Sequence, residues 1–462
     1  MSNNKDIDAD VIIVGAGLSG MTAAKELQES GLSVLLFDGK DRVGGRTWSD
    51  SQFTNGALDF GGMFIGTTHD RSQRLGKEMG LEMVKARPAG KMVWDLGTEI
   101  LIAEDGSYPE KLVGDGSSLQ QQLAKAFAAI DELARRVGKE NPWDAPGAAE
   151  LDSKTMATWL EENVSDALVK KIVGSDVTII TGVDPSEISL LFFAFYVAQC
   201  EDMYALQVTS NVMLWVGGAQ QISQRIAERL PADSVHLKEE VIAVTHGEKH
   251  VDVLTHKGTY RSKRIIMALP PAAAAQIAFH PELPSARRQI NRRTNFGRYM
   301  KLQLRYEKQF WLDRGLSGEI FSLSPGFFAL DVTRPGDTFA TLVIFIGGSN
   351  YDKWFGLGVE GRRTEMLHAV GRCLGEEALR PQAYLETNWN DVEFTMGGPV
   401  CHMPPGLMST CGSSLRAPIG RIHFAGTEAA PAWTGYMEGA VQSGEAAAAQ
   451  IKGELLNDRE AA

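Results

Sequence analysis

The 462 residues allow two or three domain-sized cores, and a composition of 44% apolar and 23% charged residues is that of a folded globular chain. A net charge of −12 argues against nucleic-acid binding and leaves no basic arm for anionic lipid; it favours cationic partners only faintly. Four scattered cysteines (Cys200, Cys373, Cys401, Cys411) without a CxxC, and nine scattered histidines, give neither a disulfide framework nor a metal site, and fit a reducing, cytoplasmic setting.

The stretch from Asp10 to Gly31, DVIIVGAGLSGMTAAKELQESG, opens the chain's organisation. Val11 to Val14 form an apolar strand that runs into Gly15-Ala-Gly17-Leu-Ser-Gly20, and a helical pattern follows whose apolar stripe ends at Leu27, with Ser30-Gly31 as its stop. Gly15 would make the tight turn, Gly17 let the backbone approach a pyrophosphate, and Gly20 let the helix pack on the strand. Phosphates would then meet unpaired N–H groups at the positive end of the helix dipole. A second strand, Ser33 to Phe37, ends in Asp38, eighteen residues after Gly20, where a carboxylate can accept hydrogen bonds from a ribose 2′-OH. A lone GxGxxG is weak; strand, turn, helix, strand and acid in order make a Rossmann-like dinucleotide site.

Next comes GKDRVGGRTWS, a second glycine turn with Arg42, Gly44, Gly45 and Arg46. It is either a solvated turn or a second backbone approach to the same pyrophosphate, with arginine neutralising charge. LDFGGMFIG (Leu58 to Gly66) is an apolar run broken by paired glycines, as backbone lying against something flat would require. The block from Lys77 to Lys139 reads as helical and charged, most clearly over Leu119 to Val137. Asn141 to Gly147 is a loop, Ser153 to Trp159 begins a helix, and Ile188 to Gln199 is a strongly apolar helix or buried segment. Trp215 to Leu230 is a second glycine-opened helix, followed by alternating strands that close at Ala268 to Pro271. In YMKLQLRYEKQFW, Lys301 points away from the face that carries Leu302 and Leu304. Ile320 to Asp331 and Thr338 to Ile346 add strands, and Trp354 to Leu374 is helical. Near the end, Arg421 to Ile451 gives a strand ending at Gly426, a polar turn with Thr427 and Glu428, then Trp433 to Tyr436 and a small-residue helix from about Glu438. That helix either packs closely or turns its N–H groups toward an electron-rich partner. No run approaches twenty apolar residues, and the start MSNNKDIDAD and tail LLNDREAA are polar, so no membrane span is expected.

VIIVGAGLSGMTAAKEL, DRVGGRTWS, LDFGGMFIG and FAGTEAAPAWTGYMEGAVQSGE, with VGGAQQISQRI and LRYEKQFW between them, resemble the flavin-containing monoamine oxidase family over nearly the whole chain. The resemblance implies an α/β fold in which a discontinuous FAD-binding Rossmann-like domain (1–80, 210–290 and 390–462) is interleaved with a mixed α+β substrate domain (81–209 and 291–389). It implies FAD held by Gly15, Gly17 and Gly20, by Asp38 where the family more usually has glutamate, and by Arg42, Gly45 and Arg46 around the pyrophosphate. Val241 would lie near the adenine, and Gly426, Thr427, Glu428 and Met437 beside the flavin. Lys301 would hold a water against the flavin ring, or be an ordinary strand lysine. Trp389 and Tyr436 would sit near the flavin face. Two departures stand out. Gly398 lies where relatives carry the cysteine that bonds FAD, and Pro399 where they carry the first tyrosine of an aromatic cage, with Cys401 three residues further on. FAD should therefore be non-covalent, and Tyr436 the one aromatic wall opposite Pro399. The chain also stops short of the family's membrane anchor.

The activity implied is oxidative deamination of a small hydrophobic primary amine, cycloalkyl, aryl or alkyl, to an imine and then a ketone or aldehyde, with O2 reduced to H2O2. A neutral amine would be steered by Tyr436 and Pro399, and no His or carboxylate stands out as a general base. Met203, Phe328, Leu330 and Phe345 are candidates for the substrate pocket or for plain core. Three alternatives stay open: a putrescine or polyamine oxidase, with Glu201 or Asp202 for the distal ammonium; an L-amino-acid oxidase, for which no arginine is assignable; and a non-enzymatic FAD scaffold. The partners are a small amine and O2, with a homodimer allowed.

Overall fold

The computed structural model describes residues 7–50, 58–104 and 106–460. The polar first six residues and the last two of the tail lie outside the described residues. Two large sheets organise the chain. The first runs in the order Val235–His236, Val34–Phe37, Ala9–Val14, Thr259–Met267, Val251–Thr255, Val241–His246, Ala278–His280, with Ile422–Phe424 pairing Thr259–Met267. Its central strands are parallel and buried on both faces, which is why VIIV and the IIM of Ile265–Met267 read as unbroken apolar runs. The helix Leu18–Glu29 covers one face and packs along Met437–Glu460.

The second sheet runs in the order Ala383–Asn388, Tyr299–Tyr306, Ala340–Gly347, Phe327–Asp331, Leu316–Ser322, Lys91–Asp95, Ile100–Ala103. The last two strands correct the expectation of a helical block from Lys77. KMVWD alternates, and it pairs in parallel with Leu316–Ser322, more than two hundred residues away. Trp354 to Leu374 is helical as expected, in two pieces: Gly348–Gly356 and Gly358–Leu374 are separate helices, broken where Gly358 takes a φ of +68°.

A helical layer packs over this sheet. LLFFAFYVAQ (Leu190–Gln199) is apolar all round because it is buried almost all round, against Leu119–Val137 and its neighbours. The helix Leu119–Val137 starts at a capping box in which Ser118 accepts from the Gln121 N–H at 3.1 Å and Gln121 accepts from the Ser118 N–H at 3.3 Å. Among the described residues no helix is long and apolar enough to cross a membrane.

Candidate functional site

One cavity of about 660 Å3 reaches from the glycine turns of the first sheet to the inner face of the second. At the first-sheet end, Gly15 and Gly17 line it, and Gly20 stands behind them: a Cβ on Gly20 would lie 2.0 Å from Gly15 O, so only glycine lets the helix sit this close to the strand. Gly45 takes a φ of +58° and brings its backbone against Gly17, where its Cβ would lie 3.0 Å from Gly17 Cα. The helix Leu18–Glu29 begins with no capping side chain and no acid in its first turn, so its positive end is left for an anion.

Asp38 lines the cavity with Oδ2 accepting from the Ala16 N–H at 2.7 Å and Oδ1 from the Lys40 N–H at 2.8 Å. Burial raises its pKa against those bonds, which leave lone pairs for a diol. Lys40 beside it is pulled down to about 8, first by burial and then by Arg42. Val241 lines the same end. Arg42 does not reach the cavity wall, a correction to its expected place. Its guanidinium turns back to Thr47 O and Gly45 O, both at 3.1 Å, and holds the second glycine turn in shape. Arg46 does line the cavity, donating to Pro399 O at 3.2 Å and pairing with Glu428 at 2.8 Å. Glu428 thereby sits behind Arg46 rather than on the wall, while Gly426, Thr427 and Met437 lie on it. A dinucleotide thus finds glycine backbone, a helix N-terminus, a cation and a diol acceptor in order along one wall. The residues fit FAD.

Lys301 is fully buried where the two ends meet. Its Nζ donates to Asp59 O at 2.5 Å, Gly61 O at 2.8 Å and Met63 Sδ at 3.1 Å. Burial pushes its pKa down to about 7, with Asp59 opposing and Arg334 adding to the fall. All three ammonium hydrogens have acceptors, and only the weak thioether is readily exchanged for a water. Trp389 is fixed by its Nε1–H on Phe60 O at 2.9 Å. Pro399 and Tyr436 both line the cavity on adjoining segments: a Cβ on Gly435 would lie 3.0 Å from Val400 Cγ2. Tyr436 is not the lone aromatic expected there. Tyr196 stacks beside it with centroids 6.4 Å apart, and it lines the cavity too. His69 packs edge-on against Tyr436, held neutral by burial that takes its pKa to about 3.

On the second sheet, Phe328, Leu330 and Phe345 all line the cavity, and Lys301 Nζ lies 5.7 Å from the Phe345 ring centroid. Met203 does not. It opens a short helix, Met203–Gln207, and is 1% exposed in the helical core; Leu206 and Gln207 from the same helix face the cavity instead. Glu201 is exposed and Asp202 caps that helix on the Ala205 N–H at 2.7 Å, so neither reaches the cavity. Two carboxyls that do line this end, Asp176 and Glu319, were not anticipated, and Asp176 is the one without a cation partner among the described residues. Asp176 stands on the helix Ala167–Thr181 with Ile179 and Ile180, three and four residues on and therefore on the same face. Arg87 also lines the wall, but both Glu319 oxygens lie 2.9 Å from its Nη1. That i, i+3, i+4 face was the available signal, and it reads equally well as core.

Comparison with known proteins gives the same answer. Residues 18–452 match the family described as flavin containing amine oxidoreductase. The chain is 34% identical over 459 residues to an amine oxidase [flavin-containing] of Oncorhynchus mykiss, covering 96% of this chain and 86% of that protein. It is 33% identical to amine oxidase [flavin-containing] B of Homo sapiens, with coverages of 96% and 86%. Among solved structures it superposes on cyclohexylamine oxidase from Brevibacterium oxydans IH-35A with a TM-score of 0.94, 42% identity and coverages of 97% and 99%. A putrescine oxidase bound to putrescine gives 0.91, 30% identity and coverages of 96% and 99%.

Proposed function

Since the chain belongs to the flavin containing amine oxidoreductase family and is an FAD-dependent amine oxidase, we propose that its substrates are small hydrophobic primary amines: cycloalkyl, aryl or alkyl. The observation that carries this is the wall next to Lys301 and Tyr436. Phe345, Phe328, Leu330, Ile179, Ile180 and Leu206 make it hydrocarbon. FAD supplies the two-electron oxidation of the C–NH2 unit and passes the electrons to O2. The protein's part is to bind, orient and dry the amine. A hydrocarbon wall disfavours the ammonium, so the amine enters neutral with its lone pair free. Tyr436, with Tyr196 behind it and Pro399 on the adjoining segment, fixes the nitrogen's approach, and no side chain is needed as a base. Gly398 in place of a cysteine supports non-covalent FAD.

The cyclohexylamine oxidase likeness supports cyclic amines among the substrates. An amino acid is disfavoured because the arginine on the substrate wall, Arg87, is committed to Glu319. The four cysteines are buried free thiols, which supports a reducing, cytoplasmic setting. Peroxide release from cyclohexylamine, benzylamine, hexylamine, putrescine and leucine tests the reading. Turnover of the first three well above the last two is expected. Turnover of putrescine or leucine alone would overturn it.

A further inference from the structure

The substrate end of the cavity has a direction, and the register of the second sheet gives it. Lys301 stands opposite Phe345, Phe345 opposite Phe328, Phe328 opposite Phe321, and Phe321 opposite Trp94. All five line the cavity. Residues paired in this way share a face, so the floor is one straight row of four aromatic rings leading away from the lysine. Four inter-strand steps at the usual spacing put its last ring roughly 19 Å from Lys301. A cyclohexyl ring fills only its near part.

The far end is polar. Trp94 packs on Tyr108 with centroids 5.5 Å apart, and Tyr108 feels the field of Asp176, both of them on the cavity wall. Asp176 accepts a hydrogen bond at Oδ2 from Gln207 Nε2 at 2.9 Å, and no cation pairs with it among the described residues. Burial pushes it up to about 8, so it stands mostly as a neutral acid at pH 7. Gln207 lines the cavity beside it, and its Nε2 carries a second hydrogen besides the one given to Asp176. The remaining charged pair on this part of the wall, Arg87 and Glu319, satisfies itself. A half-buried acceptor with spare lone pairs and an amide N–H beside it, at one end of an apolar tunnel, are what a polar group entering there would use.

We propose that Asp176 and Gln207, beside the last ring of the row, form a distal subsite that takes a hydroxyl at the far end of a long-chain primary amine, making an ω-amino alcohol a preferred substrate over the plain alkylamine. A hydroxyl can donate to Asp176 and accept from the second Nε2 hydrogen of Gln207, whereas an ammonium can only donate. The inference rests on the proposed reading of the pocket as one for hydrophobic primary amines.

The test is a chain-length series from C4 to C10, comparing n-alkylamines, ω-amino alcohols and α,ω-diamines by kcat/KM on the holoenzyme. The ratio of amino alcohol to alkylamine should peak at one length, where the chain spans the row. Asp176→Leu should lower that peak about tenfold, chiefly through KM, and Asp176→Asn, which can still accept, should keep most of it. Gln207→Leu, which frees the carboxyl from its orienting bond, should lower it less. Should Asp176→Leu fail to hold flavin, the wild-type series and Gln207→Leu still decide. A flat ratio at every length, or a peak indifferent to both leucine variants, overturns the proposal. So does a diamine that outperforms the amino alcohol at the peak, since that would make the subsite a cation site. If no amine of any kind reduces the flavin, the parent reading falls; if alkylamines do and the ratio is flat, only the distal subsite falls.

Discussion

Replacing Lys301 by methionine separates the two halves of the catalytic cycle. The side chain is 2% exposed and its Nζ is the sole hydrogen-bond donor to Gly61 O among the described residues, while Asp59 O keeps a second donor, Gln303 Nε2, at 3.2 Å. Lys301→Met therefore orphans one buried carbonyl, a cost of about 1–3 kcal/mol, partly offset because an amine no longer needs burying. The pH dependence has a definite sign. With a folded pKa of about 7 against an unfolded value near 10.4, the unfolded chain binds the extra proton between those limits. Wild-type stability should rise with pH across about 7 to 10.4, by at most ~1.4 kcal/mol per unit, and the variant should lose that slope. For catalysis, the cation matters when negative charge develops on oxygen. At about 5 Å and an effective dielectric of 20 that attraction is worth ~3 kcal/mol, a ceiling of roughly 10²-fold in rate. Stopped-flow mixing measures reduction by amine without air and, separately, reoxidation of the reduced protein by O2. Reoxidation should slow ten- to a hundredfold while reduction changes by less than about threefold. Equal slowing of both steps would refute a role in oxygen reactivity, and an unchanged stability slope would refute the buried-amine account.

Three further outcomes follow from the rest of the site. Asp59→Asn removes the carboxylate that answers the Arg334 charge in a pair whose side chains are 0% and 4% exposed, so the urea midpoint should fall by the equivalent of about 3–5 kcal/mol; a shift under about 1 kcal/mol would contradict the pairing. Asp38→Asn must turn an amide N–H toward the Ala16 or Lys40 N–H, and should weaken FAD binding to the apoprotein by about 10–100-fold in a fluorescence titration. A Kd within twofold of wild type would remove Asp38 from the cofactor site. Gly45→Ala puts a Cβ at a φ of +58° and 3.0 Å from Gly17 Cα, and should lower the flavin-to-protein absorbance ratio of the purified protein, which an unstrained turn would leave unchanged.

What was legible in the sequence is what is local in the chain. Gly15, Gly17, Gly20 and Asp38 do their work within one strand–turn–helix–strand unit, so spacing alone placed them. Lys301 was placed by strand alternation: Leu302 and Leu304 go to the core behind the sheet and the lysine to the cavity in front. What depends on distant pairing was not legible. The strand Lys91–Asp95 exists because Leu316–Ser322 lies beside it, and short-range composition around it favours helix. Met203 was misplaced because a methionine on an amphipathic helix gives no sign of which turn faces a cavity; Leu206 does, one turn later. Asp176 stayed hidden because a single acid beside two isoleucines looks like a helix edge until the second sheet closes beneath it. Arg42 resembled a pyrophosphate ligand, yet its nearest acceptors are the carbonyls of its own turn.

FAD held in this cavity against the hydrocarbon pocket would oxidise a neutral amine there. Anaerobic addition of cyclohexylamine or benzylamine to the purified holoprotein, followed by the flavin absorbance band, tests it most directly. Bleaching by these amines, with the colour restored and peroxide formed on admitting air, is the predicted result. A protein that binds FAD and stays yellow with every amine offered would contradict the account.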